Sequence, residues 1–511
     1  MGRYPVYGLD NCPMLFKAGL ISLILLVTSR LLGLVRESAQ AAAFGVSATG
    51  DVAVLMLTLP DWLASLVAGG ALAYVLLPHW SRQGAAGQAQ TQRRVATVLL
   101  AGGVGLALVV AVFAEHLVSM LVPGLPPAFT PLAVQGLGWS AAALPAAMLA
   151  ALWVTRLQHE RDFVGMYAAN LVVNGVLVLC LWALAYVAVG EHLAWILGAA
   201  LGVAMVLRLL WLRWRLRKVA VGAVEAASHA IPAPQSGLAQ SVMPKPQFWV
   251  WAALASGLPL ALPFAARSLA SASGEGALAS FNYAWKLVEL PLVLAIQLTA
   301  TLAFPVITRA FASDEDPSIA VRRAFALSWT LACAAVVALS IGGPAIASLL
   351  FGWGRMDEQG LDRIALWAQA GAWSLLPQSL IAVALTVLAT QGRLAVVALA
   401  YALGLVGLLY ASTTGPADGL RLMYWLNGVL TVVALITLAL LGRSAVKWLP
   451  VRAMAVSVLA LVGLIFVNAA GYTFVANAGI AFSIVCSACA AILIIAITWL
   501  GAGDLRVALR R

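Results

Sequence analysis

The chain has 511 residues, of which 63% are hydrophobic and only 10% charged. With a mean hydropathy of +0.98, that composition excludes a soluble globular protein. The net charge of +11 would suit nucleic acid, but the basic residues are parcelled out between apolar runs, which excludes that partner and points to a membrane.

Apolar runs of 18 residues or more recur from end to end, each long enough to cross a hydrocarbon core about 30 Å thick. Fourteen are expected: 14–34, 47–77, 95–122, 132–155, 165–189, 192–212, 248–270, 280–305, 325–350, 364–390, 393–412, 420–441, 450–470 and 476–500. Only helices satisfy the backbone across that many separate spans, so the expected fold is an all-α polytopic membrane bundle. No cleavable signal peptide is expected, because the first run lacks a small-residue cleavage site and leads straight into further spans.

Most of the 30 basic residues fall on one side if fourteen spans alternate. Arg82, Arg93 and Arg94 follow span 2, and Arg156 and Arg161 follow span 4. Arg208, Arg213, Arg215, Arg217, Lys218 and Lys245 lie at or after span 6. Arg309, Arg322, Arg323, Arg393, Arg443, Lys447 and Arg452 continue the pattern, with Arg3, Lys17, Arg506, Arg510 and Arg511 at the termini. The other side keeps Arg36, Arg355, Arg363 and Arg421. By the positive-inside rule both termini of this multi-pass membrane protein are expected in the cytoplasm.

The longest polar interruption, 213–247, reads as a cytoplasmic linker. It would join an N-terminal six-helix lobe (14–212) to a C-terminal six-helix lobe (248–441), with helices 13–14 and a cytoplasmic tail in 442–511. An offset of 231 residues superposes the starts of the two lobes. Arg36 falls on Arg267, Gly45 on Gly276, Asp51 on Asn282, and Leu59-Pro60 on Leu290-Pro291. Both lobes begin in the same orientation, which makes the repeat parallel, and two such bundles with a site between them are a common transporter plan. Pro60 and Pro291, like Pro145, Pro259, Pro263, Pro305 and Pro377, each remove a backbone bond and permit a bend.

An arginine at membrane depth costs roughly 2.5–3.5 kcal/mol or more, so it marks a wet cavity or an anionic ligand. Arg30 lies within span 1, and Arg36 lies at or just beyond its end. They are about 240° apart around a helix, so either Ser29–Gly33 is unwound or the two act at different depths. Lys286 and Glu289, three residues apart, share one face of span 8. They either neutralise each other, or Lys286 adds to a cationic cavity while Glu289 orients it. Asp51 reads as a helix N-cap or a coupling group, and Asp61, after Pro60, as a proton or cation coupler. Arg30, Arg36, Arg267 and Lys286 against few acids would attract a phosphate or pyrophosphate headgroup, whose oxygens match guanidinium forks; the other reading of Arg36 and Arg267 is snorkelling to the lipid headgroups at span ends. No metal constellation and no phosphate-cradling loop followed by lysine is present in the sequence. Cys486 and Cys489, in an apolar run without acidic or histidine partners, read as small packing residues. Neither a cofactor nor enzymatic chemistry is expected.

The segment Ser29-Arg30-Leu31-Leu32-Gly33-Leu34-Val35-Arg36-Glu37, followed by Phe44-Gly45, Asp51 and Leu59-Pro60, resembles the first two helices of the MurJ (MviN) family. These are bacterial lipid II flippases of the multidrug/oligosaccharidyl-lipid/polysaccharide exporter superfamily. Asn282-Tyr283-Ala284-Trp285-Lys286-Leu287, with Glu289-Leu290-Pro291 and Pro305, is similar to the family's Asn-Tyr-Ala-Asp-Arg-Leu…Pro segment. Phe351-Gly352-Trp353-Gly354-Arg355 is similar to its loop after span 9. The resemblance implies an alternating-access flippase that moves undecaprenyl-pyrophosphate-linked peptidoglycan precursor from the cytoplasmic to the periplasmic leaflet. Membrane potential or a coupled cation would drive it, and cell-wall synthesis machinery is an implied partner. Arg30, Arg36 and Lys286 would hold the pyrophosphate, Asp51 would serve the outer gate, and spans 13 and 14 would groove the polyprenyl tail. The chain departs from the family in two places. Leu63-Ala64-Ser65 and Gly69-Gly70-Ala71 stand where a basic pair and Glu-Gly-Ala are usual. Leu388–Arg393 replaces an aromatic, Asp-containing run. These departures leave open a flippase for another polyprenyl-linked saccharide, as in exopolysaccharide export. A cation-coupled small-molecule exporter on the same fold is a third reading.

Overall fold

A computed structural model describes residues 12–66, 72–187, 190–228, 246–312, 316–415, 418–470 and 479–503. Every regular element among them is helical. In chain order these are α1 (Cys12–Phe44), α2 (Ala48–Leu66), α3 (Leu72–Trp80), α4 (Ala85–Val112), α5 (Ala114–Leu121), α6 (Thr130–His159), α7 (Phe163–Ala185) and α8 (Leu193–Ser228). There follow α9 (Pro246–Ser271), α10 (Ala277–Pro291), α11 (Leu298–Ala312), α12 (Ser318–Phe351), α13 (Glu358–Ala372), α14 (Leu375–Thr390), α15 (Leu394–Thr413), α16 (Gly419–Leu440), α17 (Ser444–Trp448), α18 (Val451–Ala470) and α19 (Ile480–Gly501).

Each expected apolar run falls on one or two of these helices, and the all-α membrane fold stands. The count of fourteen is approximate. Among the described residues eleven helices are long and apolar enough to cross a membrane, twelve with α13 and α14, which meet at a 46° bend. Span 1 is one unbroken helix, so Ser29–Gly33 is not unwound, and α1 runs on past Arg36 to Phe44. The linker expected at 213–247 is helical as far as Ser228. Gly69-Gly70-Ala71, the rest of the linker to Lys245, and the terminal basic residues Arg3, Arg506, Arg510 and Arg511 lie outside the described residues.

Span 8 shows what an internal proline does. Pro291 cannot donate to the carbonyl one turn earlier, and the ladder widens into a π-helical stretch over Leu292–Gln297 before α11 resumes. Pro60 sits inside α2 without ending it.

Helices α1 to α8 pack chiefly among themselves, with α6 against α2, α4 and α8 and α7 against α1. Helices α9 to α16 form a second group around α12, and α18 and α19 pack on the outside of α12. The two groups meet closely at one end, opposite to the end richest in arginine and lysine. There the α1–α2 corner turns at Gly45 (φ 61°) and the α9–α10 corner at Gly276 (φ 73°), a conformation glycine adopts freely. These are the two glycines paired by the 231-residue offset. A Cβ on Gly45 would lie 2.5 Å from the Arg355 carbonyl oxygen, and one on Gly276 would strike the Val46 backbone. The corners are therefore glycine for two reasons, torsion and close approach. Towards the basic end, α2 stays on α9 through the stacked Trp62 and Phe264 rings (5.0 Å), whereas α1 leans on α7 and α11 on α12 and α14.

Candidate functional site: a charge chain between two helix groups

Asp51 is fully buried, yet it does not cap its own helix. Ser47 does that, accepting from the Gly50 N–H at 3.2 Å. The Asp51 carboxylate instead crosses to the other group and accepts from the backbone N–H of Gly276 and of Ala279, both at 2.8 Å. The first residues of α10 offer no side-chain cap of their own, so its unpaired N–H groups and positive dipole end are satisfied in trans. Glu275 returns the contact by accepting from the Ala48 N–H at 3.1 Å. Gly354 and the Arg355 N–H close on Ala42, the Arg355 guanidinium reaches the Val187 carbonyl at 3.0 Å, and the Ser38 hydroxyl donates to the Leu350 carbonyl. Polar contacts therefore tie this end together in a seal, over a buried apolar cluster in which Ala41, Val52 and Leu55 of the first group join Ala277, Leu278 and Phe281 of the second.

Beneath the seal lies a chain of charges. The Arg36 guanidinium is buried between Glu37 at 2.9 Å and Asp61 at 2.7 Å. Glu37, also buried, accepts in addition from the Asn282 amide at 2.8 Å. The Asn282 carbonyl oxygen in turn accepts from Arg267 at 2.8 Å, and Arg267 stacks over Phe264 at 5.0 Å. Asp61, Arg36, Glu37, Asn282 and Arg267 thus form one relay from α2 through α1 and α10 to α9. Its two acids and two bases cancel, which is what makes so many buried charges tolerable. Arg36 and Arg267, paired by the repeat, meet through Glu37 and Asn282.

Below the relay the charge balance tips positive. Lys286 and Glu289 pair at 2.8 Å, each side chain 30% exposed. Glu289 also lies within electrostatic reach of Arg30 and Arg267. Arg30 itself is exposed, sits near Tyr167 of α7, and among the described residues takes no ion pair. It is an uncommitted guanidinium on α1, within electrostatic reach of both Tyr167 and Glu289. With Arg267 already balanced in the relay, one carboxylate stands against two cations, Lys286 and Arg30, an arrangement that accepts a further anion, and guanidinium donors suit one with several oxygens.

The structure brings the expected residues together at several depths. Arg30, Lys286, Glu289 and Arg267 share one region, Arg36 is already ion-paired beside it, and Asp51 belongs to the sealed end. Pro60 immediately precedes Asp61, the acid bound to Arg36, and Pro291 lies two residues beyond Glu289. Glu37 and Asn282 were not singled out as site residues, although both sit in motifs that are conspicuous in the sequence. Arg208 was counted among the flanking basic residues. It is in fact 93% buried, bonded to the Asn170 carbonyl oxygen at 3.1 Å. The available signal was its place inside an apolar run, with Leu209, Leu210 and Leu212 still to follow.

A sequence profile described as lipid II flippase MurJ matches residues 40–393. Among solved structures, "Lipid II flippase MurJ, inward closed conformation" superposes with a TM-score of 0.75 at 13% identity, over 94% of this chain and 99% of that one. An inward-facing multidrug resistance MATE family transporter of the MOP superfamily gives 0.62 at 14% identity, over 82% and 98%. A MOP superfamily transporter from Pyrococcus furiosus gives 0.58 at 16%, over 83% and 95%. At these identities the structural likenesses speak for the fold.

Proposed function

This chain belongs to the MurJ lipid II flippase family, a family of transporters rather than enzymes, and from that premise we propose that it flips undecaprenyl-pyrophosphate-linked peptidoglycan precursor from the cytoplasmic to the periplasmic leaflet. Arg30 is the observation that carries the reading. A lone guanidinium within a membrane helix, beside Lys286, Arg267 and Glu289, has its cost offset once a multiply charged headgroup arrives.

The basic end faces the cytoplasm and both termini lie there. The seal around Asp51 and Gly276 is the periplasmic gate, shut in this structure. The headgroup enters from the cytoplasmic end between α1 and α11, which each lean on their own group. It binds Arg30 and Lys286, draws Arg36, and leaves when the seal parts and the other end closes. Two six-helix lobes rocking about α2 and α9 supply the motion, with Pro60 and Pro291 giving the bends. The polyprenyl tail stays in lipid along α18 and α19. Glu289 is released by the headgroup from Lys286 and so couples charge to occupancy; membrane potential or a cation provides the drive.

A second reading, transport of another polyprenyl-linked saccharide, is favoured by the Ala64-Ser65 pair, which leaves this face of α2 without cations while Asp61 adds an acid. Native mass spectrometry of the purified chain with lipid II and with a different undecaprenyl-pyrophosphate saccharide separates the two. Preferential binding of lipid II, at least about tenfold weakened by Arg30→Ala, is expected from the loss of one charge-assisted contact. Equal or stronger binding of the other saccharide would favour the second reading.

A further inference from the structure

Arg208 is not explained by membrane-surface charge. It lies fifteen residues into α8, about 22 Å along the helix at 1.5 Å per residue, and is 93% buried. Its only hydrogen bond among the described residues runs from Nη2 to Asn170. Its Nε is buried and has no partner among the described residues. Leaving a charged donor unfilled in such a place is costly, of a size with a lost charge-assisted bond.

The carboxylate within electrostatic reach of Arg208 is Asp61, carried by α2, which touches α8. Asp61 currently serves Arg36 through one oxygen, Oδ2, and its side chain remains 40% exposed. So one acid stands between two guanidinium groups, engaged by one and within the field of the other. Tyr167, Asn170 and Asn174 lie on one face of α7; Arg30 is near the first, Arg208 is bonded to the second, and Gly33 of α1 lies against the third. This polar stripe places Arg208 beside the path of the headgroup without letting it line that path.

We propose that Arg208 is the reserve partner of Asp61: when an anionic headgroup takes the Arg36 guanidinium, the Asp61 carboxylate passes to Arg208 Nε. Arg36 cannot be given to a substrate for nothing, because a carboxylate stripped of its cation at this depth would oppose binding. The exchange removes that penalty, since one ion pair is made as the other is lost, and no proton needs to move. Arg208 is in this sense a positioning residue that acts through Asp61. The proposal rests on the entry of an anionic headgroup argued above, and the test separates the two.

The first arm needs no ligand. Melting temperatures of the purified full chain are compared for Arg36→Gln, Arg208→Gln and the double variant. With Arg36 gone, Asp61 resides on Arg208, so the double variant melts lower than the two single effects added together, by about 2 °C or more. Strict additivity overturns the exchange whatever the substrate is. The second arm titrates undecaprenyl pyrophosphate into wild type, Arg208→Gln, Arg208→Lys, and Arg208→Gln combined with Asp61→Asn. Arg208→Gln binds about tenfold more weakly, Arg208→Lys keeps most of the affinity, and Asp61→Asn restores the Arg208→Gln chain to within about threefold of wild type. A role confined to packing against Asn170 would leave that rescue absent, which also overturns the proposal. Failure of the wild type itself to bind, with non-additive melting in the first arm, would sink the headgroup assignment and leave the exchange standing.

Discussion

Replacing Asp51 by asparagine perturbs the seal at a single point. The carboxylate accepts from the Gly276 and Ala279 N–H groups at 2.8 Å and has no solvent contact. Asparagine retains one oxygen, now neutral, and turns an NH2 group towards the other N–H. Charge-assisted bonds contribute about 1.5–3 kcal/mol each, and the charge facing the dipole end of α10 adds about 0.3–1 kcal/mol. One bond lost and one weakened therefore cost the sealed state about 2–4 kcal/mol, or roughly 30-fold to 1,000-fold in the balance between sealed and open forms. Spin labels at Tyr186 and Trp353, both exposed and flanking the contact of Arg355 with Val187, report that balance as a distance distribution in reconstituted protein. A marked gain in the long-distance population is expected, larger for Asp51→Ala, where both bonds vanish. If both variants stay within about threefold of wild type, Asp51 does not hold the seal.

Other consequences can be checked in parallel. Gly45→Ala should lower the melting temperature or open the seal, because a left-handed residue costs about 1–2 kcal/mol and its Cβ meets the Arg355 carbonyl at 2.5 Å; a silent substitution in both assays would refute the close approach. Glu289→Gln frees Lys286 from its 2.8 Å partner and should tighten binding of undecaprenyl pyrophosphate severalfold, whereas Lys286→Ala should weaken it about tenfold; the opposite order would remove this pair from the site. Asn282→Ala severs Glu37 from Arg267 and, by leaving a buried carboxylate short of a donor, should destabilise the chain by about 1–3 kcal/mol in a thermal or denaturant melt.

The membrane fold was legible in the sequence because each span must satisfy its own backbone, so length and apolarity alone mark it. Helix continuity was harder to read. Arg36 looked like the end of span 1, but α1 continues to Phe44 because later helices cover that stretch. The repeat offset was informative for a physical reason: Gly45 and Gly276 turn equivalent corners, and Arg36 and Arg267 feed one relay. What the charges do to one another was not legible. Whether Lys286 meets Glu289 could be guessed from a spacing of three. The pairing of Arg36 with Asp61, the capping of α10 by Asp51, and the burial of Arg208 against Asn170 all join helices far apart in the chain. No local periodicity encodes such contacts.

Complementation addresses transport of lipid II most directly. The chain is expressed in a bacterium whose own lipid II flippase can be shut off, beside an Arg30→Ala version at equal membrane level. Growth and normal cell shape with the wild type, and lysis with Arg30→Ala, are predicted. Rescue by both would remove Arg30 from the substrate path, and failure of a well-inserted wild type would contradict lipid II as the cargo.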